Sequence, residues 1–171
     1  MPFTPYHLGP SGFVGLLLRK WIDVPVFILA NVIVDVEVLF LGLTGIGAPY
    51  HRYVHTLLFG AAVGALWGAA AYPLRRVFKT VMRTLCISYE PHLLKMVISG
   101  ILGVWLHVLI DGTYHHDVKV LWPSQTTSLW VAVMSRISRE QVRTICLVFF
   151  IGAVIPYALA VSSYMRRSKR S

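Results

Sequence analysis

The stretch "LLKMVISGILGVWLHVLIDGT", residues 93–113, is apolar for long enough to cross a membrane, yet it closes on two ionisable residues. About 20 residues rising 1.5 Å each match the roughly 30 Å hydrocarbon core of a bilayer. His107 and Asp111 are four apart, so a helix sets them on nearly the same face, and His115 continues the column one turn on. Three further stretches have the same length and character: residues 24–43, 54–74 and 142–164. A shorter apolar piece, 11–21, begins at Pro10-Ser11-Gly12, ends near Arg19-Lys20 and is too brief to span. Spanning segments satisfy their backbone polar groups internally. The expected fold is therefore all-α: a polytopic membrane bundle of about four spanning helices plus a short N-terminal half-depth helix, one domain over residues 1–171.

Composition agrees. Hydrophobic residues make up 56% of the 171 and charged residues 13%, against about 25% charged in a soluble domain. The net charge of +9 does not indicate nucleic acid, because the basic residues cluster at the ends of the apolar stretches. That is how topology signals and contacts with anionic lipid headgroups are distributed. Eleven bases (Arg19, Lys20, Arg75, Arg76, Lys79, Arg83, Lys95, Arg166, Arg167, Lys169, Arg170) fall on one side. Five (Arg52, Lys119, Arg136, Arg139, Arg143) fall on the other. The positive-inside rule then places the C-terminus in the cytoplasm, in a plasma membrane of bacterial type. Cys86 and Cys146 have no redox or metal spacing and read as structural thiols. The N-terminus shows no removable signal peptide. "SRISREQVRT", 135–144, reads as an interfacial helix within a C-terminal region 126–171. Gly60, Gly64 and Gly68, four apart, mark a close helix contact.

An ionised side chain at mid-span costs about 2.5–3.5 kcal/mol on insertion scales, so such residues usually have a function. Here Asp35 and Glu37 sit in the first span, His51 and His55 at the entry to the second, and His107, Asp111 and His115 at the end of the third. By the topology above, all lie in the non-cytoplasmic half. Residues 11–21 rise about 16 Å as a helix, which brings His7 to the same depth. A single histidine on such a face is readily a hydrogen-bonded core residue. Carboxylates grouped with histidines at one depth need a compensating cation. Mixed imidazole and carboxylate donors suit zinc, with manganese or iron as alternatives, and the number of donors allows one ion or two. Asp35 and Glu37 are two apart and point different ways on a regular helix. Either the helix is broken there, or one ligates while the other serves as base or as support for a ligand.

The motifs "VDVE" (34–37), "HRYVHTLLFG" (51–60), "WLHVLIDG" (105–112) and "LWP" (121–123) resemble those of the membrane-bound metal-dependent hydrolases of the YdjM-like type. That family carries P-D-x-D, H-R-G-x-T-H-S and H-x-x-x-D followed by L-W-P. The order of His and Asp is also similar to that of zinc-dependent phospholipase C and its nuclease relatives. The resemblance covers residues 1–125, the expected metal-site region; the fourth span lies outside it. It implies ligands at His7, Asp35, His55, His107 and Asp111, with Glu37 and His51 as further members of the site; the helical column, apart from the resemblance, adds His115 as a candidate metal ligand. Val34 stands where the family has proline, Glu37 where it has a second Asp, and Tyr53 and Val54 where it has Gly and Thr.

These readings together give a hydrolase in which a metal-activated water attacks an ester or phosphoester, lipid-like because the site opens near the interface. Glu37 is the expected proton acceptor, with His51 in reserve, and Arg52 is placed to fork onto a phosphate. The expected partners are membrane lipids and the phosphoester substrate, with no nucleic acid; the oligomeric state is not legible. The rival class is a non-enzymatic membrane protein that binds or conducts metal or protons.

Overall fold

Asp23 is the last polar residue before twenty consecutive helical ones, and it starts the first spanning helix. Its carboxylate accepts the Val26 N–H at 3.3 Å, and Pro25 occupies the first turn, where no intrahelical N–H is needed. The computed structural model describes residues 5–45, 53–115, 118–124 and 137–169. A 3-10 turn, Pro5–His7, leads into α1 (Leu8–Leu17). Then come α2 (Val24–Leu43), α3 (Leu57–Ala71), α4 (Arg75–Thr84), α5 (Leu93–Tyr114), α6 (Arg139–Gly152) and α7 (Val154–Ser168). No strand occurs among the described residues.

Four segments are long and apolar enough to cross a membrane: Val24–Leu43, Leu57–Thr84, Leu93–Thr113 and Arg139–Ser168. The first and third match the expected bounds; the other two are longer. α3 continues through a 3-10 turn, Tyr72–Leu74, into α4, with Pro73 at the join because proline cannot donate to the helical ladder. α4 buries Phe78 and Met82 and exposes Arg76, Lys79 and Arg83, the pattern of a helix end resting on headgroups. The interfacial helix expected over 135–144 is, from Arg139 onward, the start of the longer helix α6. Ser138 and Gln141 form a capping box that opens α6 directly as the start of the last span, while 135 and 136 lie outside the described residues. α1 covers 8–17 rather than 11–21.

α5 is the centre of the bundle, and small residues let its neighbours approach. A Cβ on Gly64 would stand 2.6 Å from the Gly100 carbonyl oxygen, and one on Gly60 would stand 2.8 Å from Val104. On another face, a Cβ on Gly103 would stand 2.7 Å from the Ala30 side chain. Such contacts replace the hydrophobic driving force that lipid removes. Two indoles bridge the helices: Trp67 donates to the Val26 carbonyl (3.0 Å) and Trp105 to the Leu57 carbonyl (2.9 Å). Large apolar side chains face outward instead, with Leu43 78% and Leu66 70% exposed. That surface suits lipid tails.

At the end of the bundle where α2 starts, Asp23 is fully buried. Its other oxygen accepts the Tyr89 hydroxyl (2.8 Å), and its N–H donates to Ser99 Oγ (2.7 Å). Loss of water pushes its carboxyl above the ordinary aspartate range, against the lowering effect of Tyr89 and the Val26 N–H.

Candidate metal centre

Three helices and the N-terminal turn bring the ionisable side chains together near the end of α5. His107 and Asp111 lie one turn apart on α5, and both face inward, at 0% and 3% exposure. Opposite them α2 supplies Asp35. The segment entering α3 supplies His55, 0% exposed, just before Thr56 caps that helix by accepting the Phe59 N–H. Leu57 also donates to the Val120 carbonyl at 2.9 Å, and Trp122 stacks on Phe59 at 5.4 Å between ring centres. The "LWP" segment therefore holds the entry to α3 in place.

The distances describe a converging set. His107 Nε2 is 3.1 Å from Asp111 Oδ2 and 3.4 Å from Asp35 Oδ1. His55 Nε2 is 3.7 Å from Asp111 Oδ2 and 4.0 Å from Asp35 Oδ1. One donor atom from each of Asp35, His55, His107 and Asp111 falls within 4.8 Å of all the others. Donors held at about 2.0–2.2 Å around a tetrahedral zinc stand roughly 3.3–3.6 Å apart, so the spacing fits a shared ion. The His107 Nε2 atom is buried and makes no hydrogen bond, despite the nearby carboxylates. A buried set of two carboxylates and two imidazoles of this kind can hold a divalent metal.

His7 joins from the N-terminal turn. Its Nε2 lies 3.0 Å from Asp111 Oδ1, and its ring stacks on His107 at 4.4 Å. Ser11 Oγ donates to the His7 carbonyl at 2.7 Å and fixes the turn that carries it. Asp111 thus presents one oxygen to His7 and the other to His55 and His107.

Glu37 does not face the centre of this set. Its Oε2 is 3.0 Å from His55 Nδ1, and its Oε1 accepts the N–H groups of Tyr53 (3.2 Å) and Val54 (3.3 Å). Both oxygens of Glu37 are thus engaged, and Oε2 backs His55 at the nitrogen away from the cluster. α2 is unbroken through "VDVE", with Val34 fully buried. Asp35 and Glu37 therefore do point different ways, one to His107 and one to the far nitrogen of His55. His115 stands apart. α5 ends at Tyr114, and His115 is extended (φ −112°, ψ 127°), which ends the helical column before it. His115 is not one of the four converging donors. His51 and Arg52 lie outside the described residues.

His7 and Asp111 also open on a cleft whose far wall is α6, with Arg143 in it. Sequence reasoning had placed Arg143 on an interfacial helix. Its position relative to the site depends on how α6 packs, and nothing in the motifs signals that packing. Comparison with protein-family models, with curated proteins and with solved structures gave no match for this chain, so its chemistry is read from its own residues.

Proposed function

We propose that the chain is a membrane-embedded, metal-dependent hydrolase of esters or phosphoesters. The observation that carries this reading is the convergence of Asp35, His55, His107 and Asp111 on a buried point beside an open cleft. When bound there, a divalent ion, zinc first with manganese or iron as alternatives, would supply Lewis-acid chemistry and water activation.

The residues divide the remaining work. Asp35, His55, His107 and Asp111 hold the ion. Glu37 accepts from His55 Nδ1, which fixes the tautomer whose Nε2 would ligate and makes the imidazole a better donor. His7, with Nε2 3.0 Å from Asp111 Oδ1, adds a third imidazole beside the set. The apolar shell of Ala30, Val34, Val104 and Val108 beneath the cluster excludes water from that side. The resemblance of "VDVE", "HRYVH" and "WLHVLIDG" to the membrane-bound hydrolases supports the same reading.

A conduction path is the rival, and the packing opposes it. Asp23 and Asp35 are twelve residues apart on α2, about 18 Å, and the buried side chains Val26, Phe27, Ala30 and Val34 fill most of the interval on that helix, with Asn31 the buried polar exception, its amide donating to the Phe27 carbonyl at 3.1 Å. A polar group confined to one end is a site rather than a channel lining. The test is turnover of a chromogenic phosphoester by purified protein, alongside its metal content. Activity that disappears with a chelator and in Asp111→Ala is expected. Metal-loaded protein that hydrolyses no ester or phosphoester would remove the enzyme reading and leave a metal-binding protein.

A further inference from the structure

The cleft beside the cluster has a wall built by the last span. α6 reaches it because α1 and α6 pack almost backbone to backbone: a Cβ on Gly9 would collide with the Cys146 carbonyl and stand 3.0 Å from Phe150 Cβ. Phe13 and Phe149 meet edge to face at 5.2 Å along the same seam. This contact brings Arg143 and the apolar side chains of Val142 and Cys146 opposite Tyr6, His7, Asp111 and Ile110 across a cleft.

We infer that Arg143 is the anion-recognition residue of this site, and that its substrate is an amphiphilic phosphate ester, a phosphate headgroup on an apolar chain. The inference rests on the hydrolase reading for the reaction but on the cleft alone for binding. Arg143 lies four residues, about 6 Å, beyond the start of α6, near one end of the last apolar segment. Its guanidinium, 39% exposed, pairs at 3.0 Å with Glu140, itself 79% exposed. An exposed pair of this kind contributes little, and a planar guanidinium fork matches phosphate oxygens two at a time. The carboxylates of the cluster repel an incoming anion, and a cation on the opposite wall offsets that repulsion. Of the remaining lining, Ile110, Val142 and Cys146 are apolar and suit an alkyl chain, while Tyr6 adds a phenol. Fixed positive charge at the rim with apolar walls between the helices selects phosphate attached to a tail over phosphate alone.

The test measures binding of dodecyl phosphate and of inorganic phosphate to zinc-loaded protein in neutral detergent, by calorimetry under conditions without turnover. Wild type, Arg143→Gln and Arg143→Lys are compared after their zinc content and elution volume are shown to match. Arg143→Gln should weaken dodecyl phosphate roughly 10- to 100-fold, the worth of a charge-assisted hydrogen-bonded pair, and Arg143→Lys should fall between. Inorganic phosphate should bind at least about tenfold more weakly than dodecyl phosphate. Equal affinity of wild type and Arg143→Gln for dodecyl phosphate would overturn the assignment of Arg143. Inorganic phosphate binding as tightly as dodecyl phosphate would overturn the lipid-like substrate. Arg143-dependent binding with no cleavage of any phosphoester would leave this recognition site standing while removing the hydrolase reading. Cleavage indifferent to Arg143→Gln would do the reverse.

Discussion

Glu37 and Asp35 differ by two positions, which turns their side chains about 200° apart on a regular helix. The site uses both by giving them different partners: Asp35 lies beside His107 Nε2, and Glu37 holds His55 by Nδ1. Glu37→Gln should therefore weaken metal binding by roughly 10- to 100-fold, as loss of a carboxylate behind a ligating imidazole does. Excess metal should restore activity. A metal titration monitored together with turnover checks this; unchanged affinity with activity lost would return Glu37 to the role of proton acceptor. The residue types and spacings of the cluster were legible because buried carboxylates and histidines are costly in lipid and so stand out. What each oxygen touches was not. Whether Glu37 meets a proton or a histidine depends on how the segment at 53–55 folds over α2, and no periodicity encodes that. His115 shows the same limit, because four-residue spacing keeps its meaning only while the helix lasts.

At the scale of elements, the spans were legible from length and hydropathy, and the Gly60, Gly64, Gly68 stripe announced a close contact. Its partner, Gly100 on α5, was not apparent, because a small residue in a span does not say which helix it faces. Gly100→Ala would put a methyl against the Gly64 backbone, whereas Gly42 on α2 has open space around it. Gly100→Ala should cost about 1–3 kcal/mol as overpacking, and Gly42→Ala should be neutral or slightly stabilising. Thermal unfolding in one detergent separates them; equal melting temperatures would show that α3 and α5 do not pack this closely. Asp23 gives a second test at the start of α2. Asp23→Asn keeps a capping oxygen and a partner for Tyr89, and burial already disfavours the charged form, so it should be tolerated. Asp23→Ala should lose about 1–2 kcal/mol through the missing cap alone. The helix of the last span starts earlier than its hydropathy suggests, at Arg139, because charged residues in "SREQVR" hide its first turn. The capping box shows instead that a spanning helix can begin among them, and that choice brings Arg143 to the cleft.

For the whole molecule, the charge distribution along the chain sets the orientation, and the packing of α1, α2, α3 and α5 sets the site. A reporter joined after Ser171 should lie in the cytoplasm and one inserted within residues 124–130 outside, since eleven of the sixteen basic residues fall on one side. The opposite result would invert the molecule but leave the cluster intact, because its members would still share one half of the bilayer. The metal content of the purified protein bears most directly on whether that cluster is a metal centre. About one or two equivalents of a transition metal are expected in the wild type, as the donor set implies. His107→Ala and Asp111→Ala should each lose most of it. Stoichiometric metal retained in both variants, or a wild-type protein that takes up none when zinc is supplied, would contradict a metal centre at this site.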